Sequence, residues 1–521
     1  MAAKDTFVPL VKEGYTFKGE SFRIGTAVLD AEVLQGSDVL LPLKTMNRHG
    51  LIAGATGTGK TKTLQLIAEG LSDASVPVLL MDIKGDLSGI AAAGTVNDKI
   101  KDRLSKIGGD YKPGAFPVEL MSLSNEKGVR LRATVSEFGP ILLSKILGLN
   151  DTQEGVVAMI FKYCDDNKMP LLDLKDFVKV LQYVSNEGKK EIEQAYGKIA
   201  TTSTGTILRK VIELQQQGAD IFFGEPSFEI DDLMRIADDG RGMISVLRVT
   251  DMQNRPKLFS SFMLQMLAEL YATLPEAGDL DKPKLVLFID EAHLVFQEAT
   301  EALLQQIETV IKLIRSKGVG IFFCTQNPQD VPSSVLSQLG LKVQHALRAF
   351  TAADRKTIKQ AAENYPETTY YKTEDLLTQL GIGEALVTTL NEKGIPTPLV
   401  HVMLVPPRSR MDILSEEEIN GLVGKSKLVK KYAKVADSDS AYEILTAKLE
   451  EAAQKTAREE EEKQAAKPSA KKEKSTLEKV LESPVSKQIG RTATSVITRG
   501  ILGALGLGGR SSSRKKSSSW F

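Results

Sequence analysis

An α/β fold built on a mainly parallel sheet is predicted by three observations. Short aliphatic or β-branched runs alternate with amphipathic helical stretches from about Ser21 to Val405. Most of these runs are almost unbroken in hydrophobicity, as expected of strands buried on both faces. A glycine-rich phosphate-loop pattern, GATGTGKT, sits directly between one such run and a helix.

The strands are expected at Gly50 to Ala53, Val76 to Asp82, Gly242 to Val249, Lys284 to Asp290 and Val319 to Thr325. Residues 1–49 form a β-rich lead-in, and residues 50–410 form the P-loop core. Between the second and third strands, about 137–238, stretches such as LLDLKDFVKVLQYV carry helical spacing and little strand character, so a helical insert is expected there. The Pro406-Pro407 pair marks the end of the compact core. Residues 411–521 read as a tail that is helical and partly disordered. Ser415 followed by Glu418 is a capping-box start, Ala441 to Lys463 is a charged helical stretch, and AAKPSAKKEKS is linker-like.

Composition narrows the function classes. With 521 residues, 42% hydrophobic and 26% charged, wholesale disorder and small disulfide scaffolds are excluded. Two cysteines, Cys164 and Cys324, no secretory leader pattern and no apolar run near ~18 residues together point to a cytoplasmic protein. The formal charge is zero, but it is unevenly spread. After Glu482 come seven basic residues and no acidic one, which leaves residues 1–482 with a net −7. Such a body does not coat itself with nucleic acid, although a basic channel or tail remains compatible with it.

The P-loop supplies the first chemistry. Gly54, Thr56, Gly57, Thr58, Gly59, Lys60, Thr61 and Lys62 form the nucleotide-binding set. The glycines let backbone N–H groups close around phosphate oxygens, Lys60 faces the β- and γ-phosphates, and Thr61 faces Mg²⁺ at an anion-favouring helix N-terminus. ATP and Mg²⁺ are the expected cofactors. LVLFIDEAH is a buried strand ending in two carboxylates, with Asp290 expected to hold Mg²⁺ through water and Glu291 to orient or deprotonate the attacking water. His293 reads either as a contact behind them or as a structural residue.

VGIFFCTQNPQD delivers Thr325 and Gln326 to the carboxyl edge of the sheet, where open α/β sheets bind ligands. Gln326 is suited to sensing a γ-phosphate or positioning water. Arg315 precedes that strand and so lies at the opposite end from its own subunit's phosphates. It reads either as a finger on a neighbour's γ-phosphate or as a solvated helix-end arginine, with Arg348 a weaker candidate of the same kind. Asp82, Lys84 and Asp86, in MDIKGDLSG, reach the ligand edge too, either to touch metal or water or to make the turn.

Taken in order, NRHGLIAGATGTGKT, DIKGDLSG, FFGEP, LFIDEAHLVF, LIRSKGVG, TQNPQDVPSSVLSQLG and VQHALRAF resemble the bacterial HerA-like ATPase family, within the HerA/FtsK division of P-loop motors. The resemblance spans roughly Ser21 to Arg410, with a looser likeness in RTATSVITRGILGALG. It implies a RecA-like core, ATP hydrolysis, a homo-oligomeric and usually hexameric ring, and translocation on double-stranded DNA. It also implies nucleotide roles for Lys60, Thr61, Asp290 and Glu291, a sensor role for Gln326 and a trans finger at Arg315. Two functions stay open: a DNA translocase or helicase-like motor, and an ATP-driven assembly or remodelling factor that works without DNA. The basic tail is expected to contact nucleic acid, an anionic membrane surface or a protein partner.

Overall fold

The computed structural model describes residues 3–124, 126–296, 301–433 and 439–465. The basic segment after Glu482, with its expected contacts, lies outside the described residues. The chain divides into two compact units, Met1–Leu131 with Phe228–Lys434, and Arg132–Ser227 with Val435–Phe521. Among the described residues no helix is long and apolar enough to cross a membrane.

The first unit is built on one twelve-stranded sheet. In chain order its strands are β1 (Ser21–Leu29), β2 (Glu32–Pro42), β3 (Gly50–Ala53), β4 (Val78–Asp82), β5 (Val118–Ser122), β6 (Val129–Arg130), β7 (Ile244–Arg248), β8 (Leu285–Ile289), β9 (Val319–Thr325), β10 (Leu341–Gln344), β11 (Glu384–Thr388) and β12 (Val400–Leu404). They lie side by side as β2-β1-β12-β11-β10-β3-β9-β8-β4-β7-β5-β6. From β10 to β6 every pairing is parallel. The β2-β1-β12-β11 flank is antiparallel.

Hydrophobic run length accounts for this layout. Every residue of β3, β4, β8 and β9 is buried, as parallel strands covered on both faces require. β2 lies at the edge and mixes exposed with buried positions. The P-loop strand β3 is separated from the acid-tipped β8 by β9, and β4, which follows the P-loop helix, lies beyond β8. This order is a RecA-like α/β arrangement. Before β1, the helix Ala3–Gly14 buries Phe7 and Val11 on one face, with Tyr15 just past its end. After β12 the unit continues beyond Arg410. The helix Glu416–Lys425 starts in the capping box of Ser415 and Glu418, and Arg410 grips Glu418 with two hydrogen bonds of 2.8 and 2.9 Å.

The second unit is helical. Its helices include Val135–Leu147, Asp151–Asp166 and Leu174–Ser185, opened by capping boxes at Thr134, Asn150 and Asp173. Phe138 packs against Phe222 and Phe223, and Phe161 against Phe177. The charged helix Ala441–Ala465 belongs to this unit. Its start is tied down by Ala441 N–H donating to Pro170 O at 2.9 Å and Tyr442 N–H donating to Asp176 Oδ1 at 2.9 Å, with Leu445 buried.

Candidate nucleotide site

Parallel pairing brings the carboxyl ends of β3, β9, β8 and β4 to one edge. Ala53 is in register with Thr325, Ile289 with Phe323, and Met81 with Ile289. The P-loop leaves β3 there and is held from both sides. Gly54 N–H donates to Thr325 O at 3.2 Å, and Ala55 N–H donates to Ala346 O at 2.8 Å. Gly59 takes φ 114°, a value that disfavours any side chain, and passes directly into the helix Lys60–Asp73. Gly54 is required for space, since a Cβ there would stand 2.5 Å from the Cβ of His345.

Lys60 is 6% exposed, and its ammonium donates to Ala55 O at 3.1 Å. Burial lowers its pKa, and the nearby Lys84 adds to that effect, while Glu291 and Asp290 oppose it. Thr61 opens the same helix and is half-buried, as is Lys62 beside it. Thr56 and Gly57 are the exposed tip of the loop. Thr58 is pinned, its hydroxyl donating to Ala55 O at 2.7 Å and its carbonyl accepting from Gly383 N–H at 3.0 Å.

At the end of β8, Asp290 and Glu291 are both buried. Glu291 adopts φ 47°, left-handed backbone that costs a non-glycine residue roughly 1–3 kcal/mol. The turn is fixed by Ala292 N–H donating to Cys324 O at 2.9 Å. The Glu291 carboxylate is ion-paired through Oε1 with the Lys84 ammonium. His293 Nδ1 stands 3.2 Å from Oε2 outside hydrogen-bond alignment. Asp290 Oδ2 is buried without a partner. Burial pushes the Asp290 carboxyl up to about 7, Lys84 pulls it down, and Glu291 raises it further. A buried, unpartnered acid oxygen at the edge where the P-loop helix begins fits a divalent cation held by Asp290 and Thr61 with a nucleotide's phosphates.

The remaining residues sort by edge. Asp82 makes the turn: its Oδ1 accepts from Gly85 and Asp86 N–H at 2.7 and 3.1 Å, and its Oδ2 from Leu87 N–H at 3.1 Å. Gln326 is exposed just past β9, on the P-loop edge. Thr325 gives its hydroxyl to Asp330 Oδ2, which also accepts from Asn327 N–H at 3.1 Å. Arg315 lies in the turn Arg315–Lys317 before β9. It lines a cleft of about 350 Å³ with Lys44, Arg48, Asp279 and Lys312. Arg348 does not share that placement, since it follows β10 on the P-loop side and donates to Thr378 O at 3.4 Å.

Two features escaped sequence reasoning. His345 is fully buried behind the loop, its Nε2 2.8 Å from Thr63 Oγ1. Arg103, from the helix Asp98–Ile107, clasps Gly383 O at 2.9 Å and Ile382 O at 2.6 Å, steadying the segment that meets Thr58. The signal available for His345 was its place one residue past β10.

The family model for the helicase HerA-like C-terminal domain matches residues 28–512. The chain belongs to this HerA-like family. It is 21% identical over 351 residues to the DNA double-strand break repair helicase HerA of Sulfolobus acidocaldarius, covering 67% of this chain and 64% of that relative. It is 24% identical over 371 residues to the DNA import protein CedB of the same organism, covering 68% and 52%. The HerA-like chain thus spans about half to two thirds of the length of these relatives. Among solved structures it is similar to a bacterial conjugative coupling protein, TrwBdeltaN70, with a TM-score of 0.49 and 13% identity over 78% of this chain and 93% of the other.

Proposed function

We propose that this protein is a Mg²⁺-dependent ATPase that assembles as a homo-oligomeric, hexameric ring in the cytoplasm and drives a DNA translocase or helicase-like motion. The observation that carries the reading is the meeting, at one sheet edge, of a phosphate-shaped loop with Lys60 and two buried acids across a single intervening strand. The names of the relatives, a repair helicase and a DNA import protein, support DNA as the polymer.

The residues divide the work. Backbone N–H groups of Gly57, Gly59 and Lys60 receive phosphate oxygens, and Lys60 exchanges its bond to Ala55 O for the β- and γ-phosphates. Thr61 and Asp290 would hold the cation, which when bound would supply positive charge to the phosphates. Glu291 sits next to Asp290, where it orients the attacking water and accepts its proton. Gln326 faces the same edge from β9 and senses the γ-phosphate.

The test is ATP turnover by the full chain with double-stranded DNA, single-stranded DNA and RNA. Stimulation by double-stranded DNA supports the motor. Turnover indifferent to all three polymers would favour an assembly or remodelling factor recruited through its basic tail. No hydrolysis under any condition would overturn the enzymatic reading. Two substitutions separate binding from chemistry. Lys60→Ala should remove most nucleotide affinity, because it contacts ground-state phosphates. Glu291→Gln should keep binding and lower kcat about 100-fold or more, because it acts on water in the transition state.

A further inference from the structure

DIKGDLSG has so far supplied a turn through Asp82, and its lysine is unassigned. Lys84 extends from the end of β4, across β8 from the P-loop side of the sheet, and its ammonium contacts Glu291 Oε1. Its side chain is 34% exposed, whereas that of Glu291 is 8% exposed. The lysine is therefore the partner able to move. Burial acts to lower its pKa, but Asp290 and Glu291 more than offset this and leave it raised, so it is a full cation at neutral pH. It also lies close enough to Lys60 to disfavour that ammonium's charge.

Two lysines thus converge on one edge. Lys60 is anchored in the P-loop helix, while Lys84 rides on a turn and is held by an acid. The ammonium seated on Oε1 offsets the carboxylate's charge and takes a lone-pair direction on that oxygen, while Oε2 has no hydrogen-bond partner, so the cation must move before both oxygens can face a water. A triphosphate bound at Lys60 would bring a second, more highly charged anion to the edge that Lys84 shares, and ADP lacks its γ-phosphate.

Resting on the ATPase reading above, we propose that Lys84 is a γ-phosphate-operated latch: it holds Glu291 by its ion pair, and a triphosphate draws it onto the γ-phosphate, which frees the carboxylate for water. Hydrolysis then proceeds as the water oxygen bonds to the γ-phosphorus. The bond to the β–γ bridging oxygen breaks, its electron pair leaves with ADP, and the water proton passes to Glu291 and on to phosphate or solvent. In that step Lys84 is a catalytic residue. Its charge stabilises the transferring phosphoryl group in addition to Lys60.

The test is Lys84→Met in the full chain, which keeps an unbranched side chain one atom shorter and removes the charge, beside Lys84→Arg, which keeps the charge. For Lys84→Met, ADP affinity should stay within about twofold of the parent, while a non-hydrolysable ATP analogue binds roughly tenfold more weakly. Its kcat should fall about 100-fold, and Lys84→Arg should recover part of both losses. Equal loss of ADP and analogue affinity would mark a structural role and overturn the latch, as would turnover at or above the parent rate. The ATPase reading fails separately, through absence of nucleotide binding or turnover in the parent protein.

Discussion

His345 Nε2 lies 2.8 Å from the hydroxyl oxygen of Thr63, one turn into the helix that the P-loop opens. Two segments far apart in sequence are thereby tied beneath the phosphate site. His345 N–H also donates to Ala53 O at 2.7 Å, so the residue braces both the entry to the loop and its exit.

That brace is pH-dependent. Burial, with Lys60 adding to it, lowers the His345 pKa from 6.5 to about 4. Because the folded value is depressed, the unfolded chain binds the proton first as pH falls. The neutral ring's contribution is present above pH 6.5 and is lost progressively toward pH 4, on the order of 3 kcal/mol in total. His49, buried and lowered to about 4, acts in the same direction. Asp82, raised to about 6, and Asp290, raised to about 7, act in the opposite one. In urea titrations His345→Gln should therefore be less stable than the parent at pH 7.5, yet lose less stability between pH 6.5 and 4.5. Parallel curves for the two proteins would show that the ring does not titrate between the folded and unfolded states.

The carboxyl of Asp290 carries a larger functional consequence. Its folded pKa, about 7, lies above the usual carboxylate value, so its contribution to stability is fully present below pH 4 and fades as pH rises through 7. Asp290→Asn, which never ionises, should melt several degrees higher than the parent at pH 8 in the absence of nucleotide. The same substitution should remove most Mg²⁺-dependent turnover. A proton competes with the cation for Asp290. The Mg²⁺ concentration giving half-maximal ATPase rate should thus fall several-fold from pH 6 to pH 8 in the parent protein, and a flat dependence would contradict the assignment. EDTA should stop turnover.

How much of this was legible in the sequence follows from the range of each interaction. GATGTGKT and IDEA could be read because their chemistry is local: glycine conformation in the first, and adjacent acids at the end of an apolar strand in the second. Helical spacing in LLDLKDFVKVLQYV was readable, and the helix Leu174–Ser185 capped by Asp173 lies there. The strand β5 was hidden because Glu119 interrupts it, and that charge is tolerated by a 2.8 Å pair with Arg235, more than a hundred residues away. The helix Ala3–Gly14 was masked by Pro9, a residue that normally breaks a helix. Lys84 with Glu291 and His345 with Thr63 are long-range pairs. No pattern in either segment names its partner.

Arg315 supplies the last prediction, because the sheet separates it from its own nucleotide site. It precedes β9, a seven-residue strand whose far end reaches the P-loop edge. At ~3.3 Å per residue the strand puts about 20 Å between the two, far beyond the reach of an arginine side chain. Arg315 is exposed, and burial together with the neighbouring Arg48 lowers its pKa without discharging it. In a ring, that edge can face the phosphates of an adjoining subunit. Arg315→Ala should fold and bind nucleotide like the parent, yet lose turnover about 1000-fold. Mixing Arg315→Ala with Glu291→Gln subunits should then restore activity wherever an intact Glu291 meets an intact Arg315 across an interface, about one quarter of the interfaces in an equal random mixture. Mixed rings that form but stay inactive would return Arg315 to the role of a solvated helix-end cation.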